Sequence, residues 1–364
     1  MREAASRHAL KRGGYYVDAP TENVEPPQFT FTMRMAGAAA RHRLNIDFRA
    51  FAGLPNRIML LIGPNGTGKT RCLAGLVSAL VPPDTLIDST RIKRVEIDEP
   101  QEISRIIAVS YNAFDEFPLP RTPAGRPRGV GIERRSRHSY KYCGLRTERG
   151  EIHIAEIRAM LSETLEPVAG SERADVLRVV LARLIGSDLA TALMDDELRS
   201  DALSNLSAGQ RLVIAIFTNV VGFVEEGSLI LIDEPETHLH PGLLSSVVAA
   251  LNDVLAEFDS YAIVASHSPF LLQQVPSSFV RVFRRIDDVP EIAPLQLESF
   301  GEDLGELTRS VLGLADPERD FTHVLDALHH RFGNASAVIG LFPRSLGALA
   351  RAHLYALDNE AAEE

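Results

Sequence analysis

Eight consecutive residues, Gly63-Pro64-Asn65-Gly66-Thr67-Gly68-Lys69-Thr70, restrict this chain more than any other feature. They fit the pattern G-x-x-x-x-G-K-[ST] and sit between a compact apolar run, Arg57 to Ile62, and a segment with helical spacing, Thr70 to Leu80. Leu73, Leu76, Val77 and Leu80 share one side of that segment. A strand, a glycine-rich turn and a helix in this order form a phosphate cradle. The glycines let backbone N–H groups turn inward, and the helix N-terminus adds a positive dipole. Lys69 is then the cation for the β and γ phosphates of a nucleotide, and the Thr70 hydroxyl is a ligand for Mg²⁺. Kinases, GTPases, transporter ATPases and DNA-repair ATPases all use such a loop, so it fixes the ligand class and leaves the reaction open.

The pattern beyond the loop predicts an α/β chain. Phe29 to Met35 and Arg43 to Phe48 alternate as half-buried strands, and Ile106 to Val109 is a short apolar run. Ile154 to Leu193 reads as helical, as does Leu243 to Leu255. Leu229 to Ile232 and Tyr261 to Ala265 are aliphatic enough for strands buried on both faces. Strands alternating with helices imply a mainly parallel sheet. The longest apolar stretch, Leu212 to Val224, is too short for a bilayer and is interrupted by Thr218 and Asn219. Met1 to Gly14 lacks the apolar region of a signal peptide. The two cysteines, Cys72 and Cys143, supply neither a disulfide framework nor a zinc site, and the expected setting is cytoplasmic, without a membrane partner. Net charge is −11, which disfavours wholesale coating of nucleic acid. Charge is uneven, however. Pro118 to Arg149 carries nine basic residues against two acidic ones, a local +7 that leaves −18 elsewhere. That segment reads either as a solvated loop or as a face for nucleic acid or an acidic partner.

Three further constellations bear on chemistry. Asp233 ends the run Leu229 to Ile232, where a desolvated carboxylate needs a cation, so it is the candidate Mg²⁺ holder. Glu234, one residue on, points differently and is placed to orient or deprotonate a water. Leu206-Ser207-Ala208-Gly209-Gln210 opens a helical run, where Ser207 is either a simple cap or part of an anion site with Gly209 and Gln210. His267, in Ser266-His267-Ser268, follows the next strand and faces the crevice at the C-terminal edge of the sheet, as a phosphate donor, a water-positioning group or a merely packed ring. His238 and His240 form an H-x-H pair with too few neighbouring ligands for zinc.

GPNGTGKT, LSAGQ, LILIDEPE and SHS, in that order, resemble the ABC-type ATPase superfamily. DEPETHLHP at Asp233 to Pro241 resembles its non-transporter branch of RecF, SMC and OLD-like ATPases. SYNAFDEF at Ser110 to Phe117, YKYCGLR at Tyr140 to Arg146 and ESFGEDLGELT at Glu298 to Thr308 are similar to Septu-type and retron-associated anti-phage ATPases. The resemblance implies an ABC-type P-loop fold with a mixed central sheet, N-terminal antiparallel strands, a helical insertion and a helical C-terminal extension. It divides the chain into an arm (1–28), a first core segment (29–117), a basic and helical insertion (118–205), a second core segment (206–297) and the extension (298–364). It implies ATP and Mg²⁺ as cofactors, Lys69 and Thr70 in the Walker A role, and Asp233 and Glu234 in the Walker B and catalytic-carboxylate roles. Ser207 and Gly209 become the signature that reaches the ATP of a second subunit, and His267 the switch histidine. The family usually has a sensor glutamine after the strand ending near Ser110, where this chain offers Asn112. The implied partners are a second copy or a higher homo-oligomer, a separate effector such as a nuclease, and nucleic acid at the basic insertion. Fewer than a hundred residues follow His267 and they hold no D-x-D pair, so any nuclease is expected to be a partner. A DNA-clamping repair ATPase and a transporter nucleotide-binding domain are the alternatives.

Overall fold

In the computed structural model the described residues are 26–363 without 35–37, 39–40, 50–53, 88–94, 99–102, 111–114, 122–138, 145, 147–160, 162–163, 238, 287–288 and 313–320. Asn112, His238 and most of the basic segment therefore lie outside them. In chain order the elements begin β1 (Gln28–Met33), β2 (His42–Asp47), β3 (Ile58–Ile62), α1 (Lys69–Leu80), β4 (Leu86–Ile87), β5 (Glu96–Asp98), β6 (Arg105–Ser110), β7 (Leu119–Pro120) and β8 (Ser139–Cys143). They continue α2 (Ala174–Ile185), α3 (Ser187–Met194), α4 (Arg199–Ser204), α5 (Ala208–Phe223), β9 (Leu229–Asp233), α6 (Pro241–Glu257), β10 (Tyr261–Ser266) and α7 (Pro269–Leu272). The last are β11 (Val280–Ile286), β12 (Val289–Pro294), α8 (Leu304–Leu312), α9 (Phe321–Phe332), α10 (Ala335–Gly340) and α11 (Ala348–Glu363).

The central sheet has seven strands in the order β12-β11-β3-β10-β9-β6-β8. All neighbours run parallel except the β11–β12 edge pair, which makes the sheet mixed. The aliphatic strands are explained by cover on both sides. On one face Met59, Leu61, Ala108, Leu231 and Ile263 share a core with Leu73, Leu76 and Val77 of α1, and with Phe29, Phe31, Leu44 and Ile46 of the small β2-β1-β5 sheet. On the other, Val247, Val248 and Leu251 of α6 close over Ile58, Leu60, Ile232 and Val264. β1 and β2 pair antiparallel, and Phe29, Phe31 and Met33 alternate inward as their pattern predicts. β8 lies inside the sequence segment read as an insertion, yet it pairs with β6 as the edge strand of the main sheet. The helical segment predicted over 154–193 is broken at Gly186, whose φ of 87° ends α2 before α3 begins.

The described residues up to Leu307 and those from Thr308 onward form two compact units. The second is a small helical unit around Leu325, Ala335, Val338 and Leu354. Two carboxylate–imidazole contacts, His329–Asp358 and His353–Asp326, both 2.6 Å, cross-link α9 and α11 within it.

Candidate nucleotide site

Register decides which side chains meet. Ser110 of β6 pairs with Asp233 of β9, Asp233 with Ala265 of β10, and Ser266 of β10 with Ile62 of β3. Four strand ends thus share one edge, and the glycine-rich loop leaves from the same edge. A Cβ on Gly63 would stand 2.1 Å from the Phe283 carbonyl oxygen on β11, so only glycine passes there. Gly68 adopts φ 98° as the cap of α1, a conformation that strains other residues. Thr67 Oγ1 donates to the Pro64 carbonyl at 2.8 Å and closes the turn. Lys69 is 3% exposed, and its Nζ donates to the carbonyls of Gly63 and Pro64 at 2.8 and 2.9 Å. Burial lowers its pKa, and the charges of Glu234, Glu236 and Asp233 oppose that shift.

Thr70 Oγ1 donates to Asp233 Oδ1 at 2.9 Å. The other oxygen, Oδ2, is buried with no hydrogen-bond partner. Burial pushes the Asp233 carboxyl up to about 7, the Thr70 hydrogen bond opposes the shift, and the Glu234 and Asp115 charges add to it. A hydroxyl and an unsatisfied carboxylate oxygen, held together at the sheet edge, are hard oxygen donors and fit Mg²⁺. Without a cation the ionised carboxylate destabilises the fold. Its folded pKa is raised, so the protonated form's stability is present at acid pH and is lost as pH climbs through about 7. Asp233→Asn keeps the Thr70 hydrogen bond and cannot ionise. Urea denaturation of the ligand-free variant at pH 8 is expected to show a gain of about 2 kcal/mol or more, shrinking towards pH 4. A loss of stability at pH 8 would contradict this account of the carboxylate.

Glu234 follows β9 with φ 46°, a left-handed conformation that costs an ordinary residue about 1 kcal/mol or more. Its N–H donates to Ala265 O at 2.9 Å, and its side chain is 17% exposed with Oε1 4.0 Å from His267 Nδ1. Two residues on, Glu236 receives the Ser266 hydroxyl and the His267 backbone N–H at Oε1, at 2.7 and 2.6 Å. Sequence reasoning gave Glu236 no role. Its repeated acid in Asp233-Glu234-Pro235-Glu236 was the available signal.

A second group beside the site also escaped the sequence reading. Asp115 has a fully buried carboxylate, whose Oδ2 accepts from Tyr142 Oη at 2.5 Å and Oδ1 from Arg146 Nη1 at 2.9 Å and Phe117 N at 3.0 Å. Burial, then the Asp115 charge, holds the Tyr142 phenol well above its ordinary pKa, so it stays a donor. This cluster joins the chain after β6 to the end of β8. Cys72 and Cys143 are free and buried, and burial pushes both thiols up to about 12, which leaves them unreactive.

Ser207 is exposed at the start of α5 in a capping box: its N–H donates to Gln210 Oε1 at 2.9 Å, and its hydroxyl accepts from Gln210 N at 3.3 Å. Among the described residues no hydrogen bond or ion pair joins Ser207, Gly209 or Gln210 to the loop, Asp233 or His267 within the chain. His240 caps α6, its Nδ1 accepting from Gly242 N at 3.2 Å, and the described residues hold no group of metal-ligating side chains of the histidine, cysteine and carboxylate kind. No described helix is long and apolar enough to cross a membrane.

Residues 157–273 match a family described as "AAA domain, putative AbiEii toxin, Type IV TA system". The chain is 31% identical over 331 residues to "Protein ea59" of Escherichia phage lambda, an alignment spanning 83% of this chain and 63% of that protein. The chain therefore spans less than two thirds of the length of this curated relative. An SMC head bound to the C-terminal winged-helix domain of ScpA is similar with 12% identity and a TM-score of 0.41, over 74% of this chain and 97% of that one. An ATP-binding cassette of an ABC transporter in its ADP conformation is similar with 12% identity and a TM-score of 0.38, over 80% and 97%. The glycine-rich loop after β3, Asp233 at the end of β9 and His267 just after the intervening β10 give this chain a P-loop α/β fold with a mixed central sheet.

Proposed function

We propose that the chain binds and hydrolyses Mg-ATP between two copies of itself, and that this cycle controls a separate effector in the cytoplasm. The observation that carries the reading is the Thr70–Asp233 contact with Asp233 Oδ2 unsatisfied, beside a buried Lys69. Lys69 and backbone N–H groups of residues 65–70 would hold the β and γ phosphates of ATP. Thr70 and Asp233 would hold Mg²⁺, which when bound neutralises charge on the phosphate oxygens. Glu234 would accept the proton of the attacking water, and His267 would orient that water or donate to the γ phosphate. Asn112 would take the sensor role by its amide, a shorter version of glutamine.

Ser207, Gly209 and Gln210 would serve the ATP of the second copy. Their support is the exposed, capped N-terminus of a 16-residue helix, whose dipole favours an anion. Hydrolysis would then release the pair, and the basic segment and the C-terminal unit would carry that change to nucleic acid or to an effector such as a nuclease. A setting in phage–host conflict is supported by the toxin–antitoxin wording of the matched family and by a relative encoded by a phage.

Ser207→Arg separates the two halves. It adds a bulky cation where the second nucleotide would dock and leaves the loop untouched. ATP titration is expected to give parental affinity, while steady-state phosphate release falls at least about tenfold. Release at the parental rate would refute the two-copy site and leave a single-chain ATPase.

A further inference from the structure

Glu236 lies where the turn after β9 reaches the end of β10. Oε1 takes two donors there, the Ser266 hydroxyl and the His267 backbone N–H, and His267 Nδ1 stands 3.0 Å from the same oxygen. Its partner oxygen Oε2 is buried and unpaired, and so is Nδ1 of His267. The Glu236 side chain is only 10% exposed, whereas the imidazole is 41% exposed. Because Nδ1 is buried, that exposure belongs to the rest of the ring. An unpaired buried polar atom costs about 1–3 kcal/mol, and a proton on Nδ1 directed at Oε1 removes that penalty for the ring nitrogen.

We infer that Glu236 is a positioning residue for His267: it takes the Nδ1–H proton and leaves Nε2 as the outward nitrogen. The opposite tautomer would aim the Nδ1 lone pair at a carboxylate, two acceptors with no hydrogen between them. With Nδ1–H fixed, neutral His267 offers a lone pair at Nε2 to an O–H of water. If it gains a proton, Nε2–H becomes a donor and the carboxylate faces the cation. Ser266 and the His267 N–H lock the carboxylate in turn, so the turn after β9 and the end of β10 are joined through one side chain. The use of this tautomer in turnover rests on the ATPase reading above; the tautomer itself does not.

The test is ¹⁵N–¹H correlation of the histidine rings in the full ligand-free chain, with His267→Gln identifying the signal. The parent is expected to show Nδ1–H with an unprotonated Nε2, and an Nε2–H pattern would overturn the inference. Glu236→Gln sharpens it. The His267 backbone N–H can only donate, so the amide oxygen takes the Oε1 place and still faces Nδ1. This variant should keep the Nδ1–H form, whereas Glu236→Leu removes the acceptor and should release the ring to the Nε2–H form. A Glu236→Leu ring still in the Nδ1–H form would overturn the role of the carboxylate. In kinetics, kcat of Glu236→Leu should fall about 10- to 100-fold with ATP affinity unchanged. A switched tautomer with parental kcat would remove the link to turnover. Should the variant fail to fold, the parent spectrum alone decides. If the parent neither binds nor cleaves ATP, the ATPase reading falls, and the spectrum still decides the tautomer.

Discussion

Glu234→Gln should bind Mg-ATP as tightly as the parent and release phosphate about 10²- to 10⁴-fold more slowly, the usual weight of a general base. The amide keeps the shape of the side chain and removes its ability to take a proton. Two features single out this carboxylate. It follows the strand that carries Asp233, and its backbone is held at φ 46°, where a residue other than glycine sits only under constraint. That constraint comes from the Glu234 N–H bond to Ala265 O on one side and the Thr237 N–H bond to Glu234 O on the other. The turn therefore aims Glu234 away from the strand, towards His267. Single-turnover assays separate the steps: binding measured by nucleotide fluorescence should be unchanged, and only the chemical step should slow. Equal turnover in parent and variant would assign the base elsewhere.

Lys69→Met should weaken ATP binding by about 3 kcal/mol, roughly 150-fold, because a charge-assisted contact to the phosphates disappears. The ammonium is buried within the loop, with two donors on Gly63 and Pro64 carbonyls. Methionine fills the space of the stem and introduces no charge. Since burial lowers the Lys69 pKa, the neutral replacement should not lower the melting temperature of the ligand-free chain by more than a few degrees. Calorimetric titration and thermal melting together distinguish a lost ligand contact from a lost fold. Parental affinity in the variant would remove the glycine-rich loop from the binding site.

The aliphatic strands β3, β9 and β10 were legible because both their faces are covered, and composition alone carries that signal. The glycine-rich loop was legible for a different reason: only glycine fits where the backbone meets β11 at Gly63 and where it turns at Gly68. β8 was not legible. Ser-Tyr-Lys-Tyr-Cys is a short polar run in a basic stretch, and its place beside β6 depends on pairing across the chain. Gly186 divides a helical pattern that continues on both sides of it, so periodicity passes over the break. In the site, residue type and spacing pointed to Lys69, Thr70, Asp233, Glu234 and His267, which share one sheet edge. Glu236, Asp115, Tyr142 and Arg146 were missed because their interest lies in burial and in which oxygen lacks a partner. Those are properties of packing, and the repeated acid at Glu236 is only a faint local trace of them.

Light scattering of purified Glu234→Gln, with and without saturating Mg-ATP, reaches the two-copy site most directly. Blocked hydrolysis should trap the closed state, so the mass should move from one chain without nucleotide to two with it, and Ser207→Arg in the same background should abolish the change. A single-chain mass at saturating nucleotide would contradict the account.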